Sequence, residues 1–204
     1  MDLQMSSSDG RKKIHPHKFA LWVAMASISM MFAGLTSAYV VRQAQGNWRY
    51  YNIPLVFWVS TAAIVLSSIT MVMAIRAYKK RQMGQYKMVI SATLVLGLLF
   101  GLMQCYGFYL LFHNAQPVRI NGLVGDAQVV RVNGNPSESF LYIIAGLHLL
   151  HVLGGIIALI FVYLRSFRKN IKVYDATGLE IVGGYWHFVD ILWVYLFIFF
   201  LVNQ

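Results

Sequence analysis

Residues 185–193 read YWHFVDILW and lie inside the last long apolar stretch of the chain. His187 and Asp190 stand three residues apart there, on one face of a helix. A carboxylate placed in hydrocarbon is costly and marks a function or a polar partner. Whether the surrounding run spans a membrane decides the fold, and composition answers first. Of 204 residues, 58% are hydrophobic and 12% are charged, about half the charged share of an ordinary soluble domain. The mean hydropathy is +0.59. These values describe a membrane protein.

Working outward, five runs are long enough to cross about 30 Å of hydrocarbon at about 1.5 Å per residue. They are Phe19–Val41, Leu55–Ile75, Met88–Phe112, Phe140–Leu164 and Gly184–Val202. The first three hold no Asp, Glu, Lys, Arg or His; the fourth holds His148 and His151, and the fifth His187 and Asp190. The expected fold is an all-α polytopic bundle of five transmembrane helices, one membrane domain over residues 1–204. Residues 1–18 form a basic tail and 113–139 the one long loop. Two Asn-Gly pairs around a Val-rich stretch predict a short β-hairpin in that loop. Pro54 is expected at a first helical position. Asn135 is expected as a cap, with Pro136 next and Glu138 completing a capping box.

The 17 Lys and Arg residues divide unevenly. Arg11, Lys12, Lys13 and Lys18 precede the first span. Arg76, Lys79, Lys80, Arg81 and Lys87 separate the second and third, and Arg165, Arg168, Lys169 and Lys172 the fourth and fifth. Only Arg42, Arg49, Arg119 and Arg131 fall on the opposite side. This bias puts the N-terminus inside, the C-terminus outside and the loop 113–139 outside. A first run of 23 residues is too long for a typical signal-peptide core, and it reads as a retained helix. The net charge of +10 sits between apolar runs rather than along one polar face, so it does not point to nucleic acid. Cys105 is the single cysteine, which rules out an internal disulfide and a CxxC metal site.

His148 and His151 share a helix face. Haem ligation between two histidines usually takes them from two helices, and a metal site wants a third ligand and supporting hydrogen bonds. The alternative is hydrogen bonding between helices, worth roughly 1 kcal/mol per bond in a membrane. Counted from the inner ends of the apolar runs, His151 and Asp190 differ in height by about 10 Å, so the cheapest partner for Asp190 is His187. A neighbouring subunit or a proton-accessible cavity are the other readings. Ala33/Ser37, Gly34/Ala38, Gly97/Gly101 and Gly154/Ala158 form small-xxx-small pairs that let helices approach closely. Trp48, Tyr50 and Tyr51 fit an interfacial aromatic belt. The basic loops set topology or bind anionic lipid heads. No P-loop and no nucleophile–base pair is present.

Two segments carry a family resemblance. GLHLLHVLGG, followed some thirty residues later by GLEIVGGYWHFVDILWVYLF, resembles subunit III of the haem-copper respiratory oxidases (the cytochrome c oxidase type). That family reads G-x-H-x-x-H-V, then G-x-E, then W-H-F-V-D-x-x-W. Gly146, His148, His151 and Val152 fill the first motif, Gly178 and Glu180 the second. Trp186, His187, Phe188, Val189, Asp190 and Trp193 fill the third. SISMMFAGL is similar to the family's S-E-x-M-F-F-A-G, through Ser27, Met30, Phe32, Ala33 and Gly34. Ile28 replaces the family's glutamate, so any role of that carboxylate is absent. Many members have seven helices; five here imply that the first pair is missing and that the lipid-filled cleft it frames is reshaped or completed by another subunit.

The resemblance implies an accessory core subunit of a terminal oxidase in a bacterial cytoplasmic membrane. It binds no haem, copper or other metal and has no catalytic residues. Haem and copper belong to partner subunits I and II, which it would stabilise, within the oxidase or a larger respiratory supercomplex. Phospholipid is the expected ligand, with Arg165 and Arg168 as headgroup contacts. His148, His151, Glu180, His187 and Asp190 are expected as structural polar residues, with His187–Asp190 as an internal fastener. A quinol oxidase or nitric oxide reductase subunit is the alternative within the fold, and a proton or ion carrier the alternative outside it.

Overall fold

The computed structural model describes residues 16–46, 48–50, 53–114, 116–120, 123–128, 135–167 and 177–203. Five helices dominate: α1 (Pro16–Ala44), α2 (Leu55–Lys79), α3 (Met83–His113), α4 (Pro136–Ser166) and α5 (Thr177–Val202). Each is long and apolar enough to cross a membrane. At 25 to 31 residues they measure about 37–47 Å, more than the hydrocarbon requires. Their ends therefore reach past the apolar runs. α3 begins five residues before Met88, α4 four residues before Phe140, and α5 seven residues before Gly184. A helix stops where its backbone is capped, not where hydrophobicity ends.

The caps show this. The Asn135 side chain accepts from the Ser137 backbone N–H at 3.1 Å, and Pro136 opens α4. Pro54, expected inside α2, instead stands just before it with extended ψ, and the helix starts at Leu55. The turn between α2 and α3 is closed by Gln82 N–H to Ala77 C=O and Arg81 N–H to Tyr78 C=O, each 3.0 Å. Arg81 sits there at φ 58°, a left-handed position that usually takes glycine.

Two strands, β1 (Gln116–Ile120) and β2 (Leu123–Gln128), form the expected antiparallel hairpin between α3 and α4. Ile120 pairs with Leu123; the Asn121-Gly122 pair expected at the turn lies outside the described residues. A register shift between Pro117 and Arg119 marks a bulge.

α5 is the hub of the bundle. It packs on α2, α4 and α1, while α3 closes the opposite side against α2 and α4. Glycines make this possible by receiving aromatic rings. A Cβ on Gly97 or Gly155 would stand 2.8 or 2.9 Å from the Trp186 ring, and one on Gly107 2.8 Å from Phe57. The small-residue pairs on α1 are not used this way. Gly34 has nothing within 4 Å, and Ala33, Ser37 and Ala38 are exposed. α1 buries only Phe32, Thr36 and Tyr39, a single narrow stripe.

Candidate functional site

The polar residues of the spans form a ladder between α5 and α2. Trp186 Nε1 donates to Ser67 Oγ at 3.1 Å. His187 Nδ1 and Ser68 Oγ lie 2.6 Å apart. Trp193 Nε1 donates to Thr61 Oγ1 at 3.0 Å. α2 passes the pattern on to α3: Ser67 Oγ donates to Thr93 C=O (3.3 Å), Thr93 Oγ1 to Thr70 Oγ1 (2.9 Å), and Gln104 Nε2 to Ser60 Oγ (2.9 Å). Ser60, Ser67 and Thr93 are fully buried. In hydrocarbon such groups have no water to fall back on, so these bonds select one register among the three helices.

His187 therefore bonds across to α2 and not along its own helix to Asp190, which corrects the expected pair. A side chain on the α5–α2 seam points at the neighbouring helix, where Ser68 offers a hydroxyl at contact distance. Asp190 is 4% exposed and lies beside the same Ser68 hydroxyl that His187 meets, although neither of its oxygens reaches a described residue in normal hydrogen-bond geometry. The expected height gap to His151 also changes. His151 lies 15 residues before the end of α4 and Asp190 13 residues after the start of α5, a difference of about 3 Å. The expectation counted from the ends of the apolar runs, and α5 starts well before its run does. The two side chains are level but not bonded: His151 Nδ1 lies 2.7 Å from the Leu147 carbonyl of its own helix, while its own carbonyl accepts from Tyr185 OH at 3.0 Å.

His148 is 1% exposed and boxed by rings. Trp193 lies 5.1 Å away at 30°, with Phe32 and Phe100 each at 6.4 Å edge-on. Neither ring nitrogen has a hydrogen-bond partner among the described residues. Among those residues, no group of three or more His, Cys, Asp or Glu side chains is placed to hold a metal.

Ion pairs tie the two ends of the bundle. Glu180 takes Lys18 of α1 on one carboxylate oxygen and Lys79 of α2 on the other, each at 2.7 Å. At the hairpin end, Arg49 Nη1 meets Glu138 Oε1 at 3.1 Å, with Glu138 fully buried. Sequence reasoning missed this pair, because Glu138 fits a capping box and no spacing links it to residue 49. Arg165 is exposed on the wall of a 340 Å³ pocket formed with Tyr78, Tyr86, Phe161, Gly178 and Ile181. Arg168 lies outside the described residues.

The fold and its polar core define a multi-pass membrane bundle in which buried hydroxyls, two indoles and the His187 imidazole join helices. Comparison with known proteins identifies the bundle. A family model described as Cytochrome c oxidase subunit III matches residues 49–203. A "Probable cytochrome c oxidase subunit 3" of Nocardia farcinica is 34% identical, over 85% of this chain and 81% of the relative. One of Mycobacterium leprae is 31% identical, over 86% and 82%. A "Probable quinol oxidase subunit 3" of Staphylococcus aureus is 29% identical, over 89% and 86%. The chain belongs to the cytochrome c oxidase subunit III family and is an accessory subunit of the haem-copper oxidase type.

Proposed function

We propose that the chain stabilises the catalytic subunit I of a cytochrome c oxidase in a bacterial cytoplasmic membrane, with haem and copper held by subunits I and II and none by this chain. The observation that carries this reading is the match of residues 49–203 to the subunit III family; the α5–α2–α3 ladder, which uses the polar groups of three spans for packing, fits an accessory role. His187 is then a fastener between helices, and Glu180 a clamp on the basic end. His148 and His151 serve packing and Asp190 is a buried neighbour of the seam. The thirteen-to-four division of basic residues supports a topology with the basic end inside and the hairpin outside. Arg165, on the wall of a mostly apolar pocket at the basic end, supports an anionic phospholipid there, with Arg168 as its partner in sequence. The test is affinity purification in mild detergent. Haem bands and oxygen consumption should travel with the chain, and their absence would remove the oxidase assignment.

The relative named as a quinol oxidase subunit keeps a second electron donor in view. Assaying the same preparation with reduced cytochrome c and with quinol separates the two. Turnover on quinol alone would replace the cytochrome c reading.

A further inference from the structure

The hydrogen bonds of the α5–α2–α3 ladder stop short of α4. Gln104 of α3 donates to Ser60 of α2 at 2.9 Å. Thr61, the next residue of α2, accepts from Trp193 of α5, and the Trp193 ring lies 5.1 Å from the His148 ring of α4. Phe100, one turn before Gln104 on α3, stands 5.5 Å from the first of these rings and 6.4 Å from the second. Gln104 and His148 therefore share one layer of the bundle, on helices that pack against each other.

Both carry polar atoms that the layer leaves unsatisfied. Gln104 is 2% exposed and His148 1%. Gln104 Oε1 and both ring nitrogens of His148 are buried and have no hydrogen-bond partner among the described residues. A neutral imidazole presents one donor and one acceptor, and the amide oxygen is a further acceptor. Such atoms are costly to orphan where no bulk water reaches, and buried polar groups are paired with protein or with ordered water. Water both donates and accepts. It can take the imidazole N–H and give a hydrogen to the amide oxygen.

A route leads to this layer from the hairpin end. A cavity with Arg49, Tyr50 and Ser137 at its mouth reaches down to Ala145 and Trp193. Ala145 stands three residues before His148 on α4, and Trp193 is the ring that lies against it. The cavity gives water ≈ 60 Å³, and one molecule needs about 10–15 Å³. Its walls, among them Phe57, Phe108 and Leu141, are apolar, so they let water pass without holding it. A lasting water needs two to four polar partners, and these stand beyond the floor.

We propose that Gln104 and His148 bind an internal water molecule that bridges α3 to α4 and enters from the hairpin end. With Ser60 already on Gln104, the bridge makes one polar layer through α2, α3 and α4. Every group that holds it comes from this chain, whichever oxidase the chain serves.

X-ray radiolysis of the chain, purified in mild detergent with the subunits that accompany it, tests the site. Radiation converts bound water to hydroxyl radicals, which oxidise the side chains next to them, and peptide mass spectrometry maps the products. Phe100 is the reporter: it is fully buried, lies against His148 and is not part of the cavity lining. Trp186 is the dry control, as deeply buried and packed among Gly97, Gly155 and Ser67. Phe100 is expected to be oxidised and Trp186 not. His148→Phe and Gln104→Leu each remove one side of the bridge. Each should abolish the Phe100 product while exposed Tyr106 keeps its own. If one variant does not accumulate the other decides, and if neither does, the wild-type contrast between Phe100 and Trp186 decides. Phe100 no more oxidised than Trp186 in the wild type, or a Phe100 product that persists in either variant, overturns the proposal.

Discussion

The α2–α5 seam and the outward side of α1 are both apolar and both rich in small residues, yet the chain uses only the seam for its own packing. On the seam, glycines receive rings and hydroxyls receive indole N–H groups. On α1, Gly34 and Ala38 face away from the rest of the chain, and Met30 is 77% exposed. Small residues permit close approach but do not say to what. The difference lies in the partner: a span next to an aromatic or a hydroxyl on a neighbouring helix is drawn in, and one without such a neighbour is left on the surface.

The sharpest way to break this contrast is a pair of valines. Gly97→Val puts atoms where the Trp186 ring stands and should destabilise the bundle by about 1–3 kcal/mol, seen as a lower melting temperature in detergent and loss of the chain from its complex. Gly34→Val meets nothing within the chain and should leave the melting temperature of the purified chain unchanged. Equal losses in the two variants would erase the distinction.

Hydrogen bonds give a finer comparison. Trp186→Phe removes the donor to Ser67 and shrinks the ring packed on Gly97 and Gly155, so it should cost about 1–3 kcal/mol, above the roughly 0.6–1.7 kcal/mol of the bond alone. On α1, Thr36→Val removes the contact between its hydroxyl and Tyr195 OH, at 3.1 Å. Thr36 also bonds back to Phe32 C=O in its own turn, so the valine should cost no more than the lower end of that range. Thermal unfolding of both variants ranks them, and a larger loss for Thr36→Val would reverse the comparison.

Glu180 is the polar tie common to both regions, reaching α1 through Lys18 and α2 through Lys79. Its side chain is 28% exposed and its lysines 40% and 54%, so water screens the pairs. Glu180→Gln should cost about 0–1 kcal/mol, with the difference fading at high salt. A salt-independent loss of several times that size would mean that Glu180 does more than pair with two lysines.

The smallest structural effect belongs to Asp190. The polar neighbour of Asp190 is Ser68, which His187 already engages, so Asp190→Asn keeps that contact and Asp190→Leu loses at most a weak one. Subunit stoichiometry and melting temperature should hold or rise in both, because neither substitute buries a carboxylate. Oxygen consumption per complex should hold as well. Normal assembly with strongly impaired turnover in Asp190→Asn would assign this carboxylate to proton handling.

What the sequence determined by itself is the part of the structure that follows from local chemistry. Long apolar runs placed five helices, Asn135-Pro136 placed the start of α4, and the Asn-Gly pairs of the long loop announced a hairpin there, because span, cap and turn each depend on residues a few positions apart. The motifs HLLHV and WHFVD, read together, carried the family. Which polar groups meet was decided only in three dimensions. His187 is nearest in sequence to Asp190 but bonds to Ser68, 119 residues away. Arg49 finds Glu138 across 89 residues. Gly155, Gly107 and Gly183 gained their importance only once Trp186, Phe57 and Ile75 were set against them. Helix ends displaced by up to seven residues from the apolar runs moved Asp190 level with His151. Hydrophobicity reports which segments enter the membrane; the rotation and height of each helix, and so its partners, come from side chains fitting one another across the bundle.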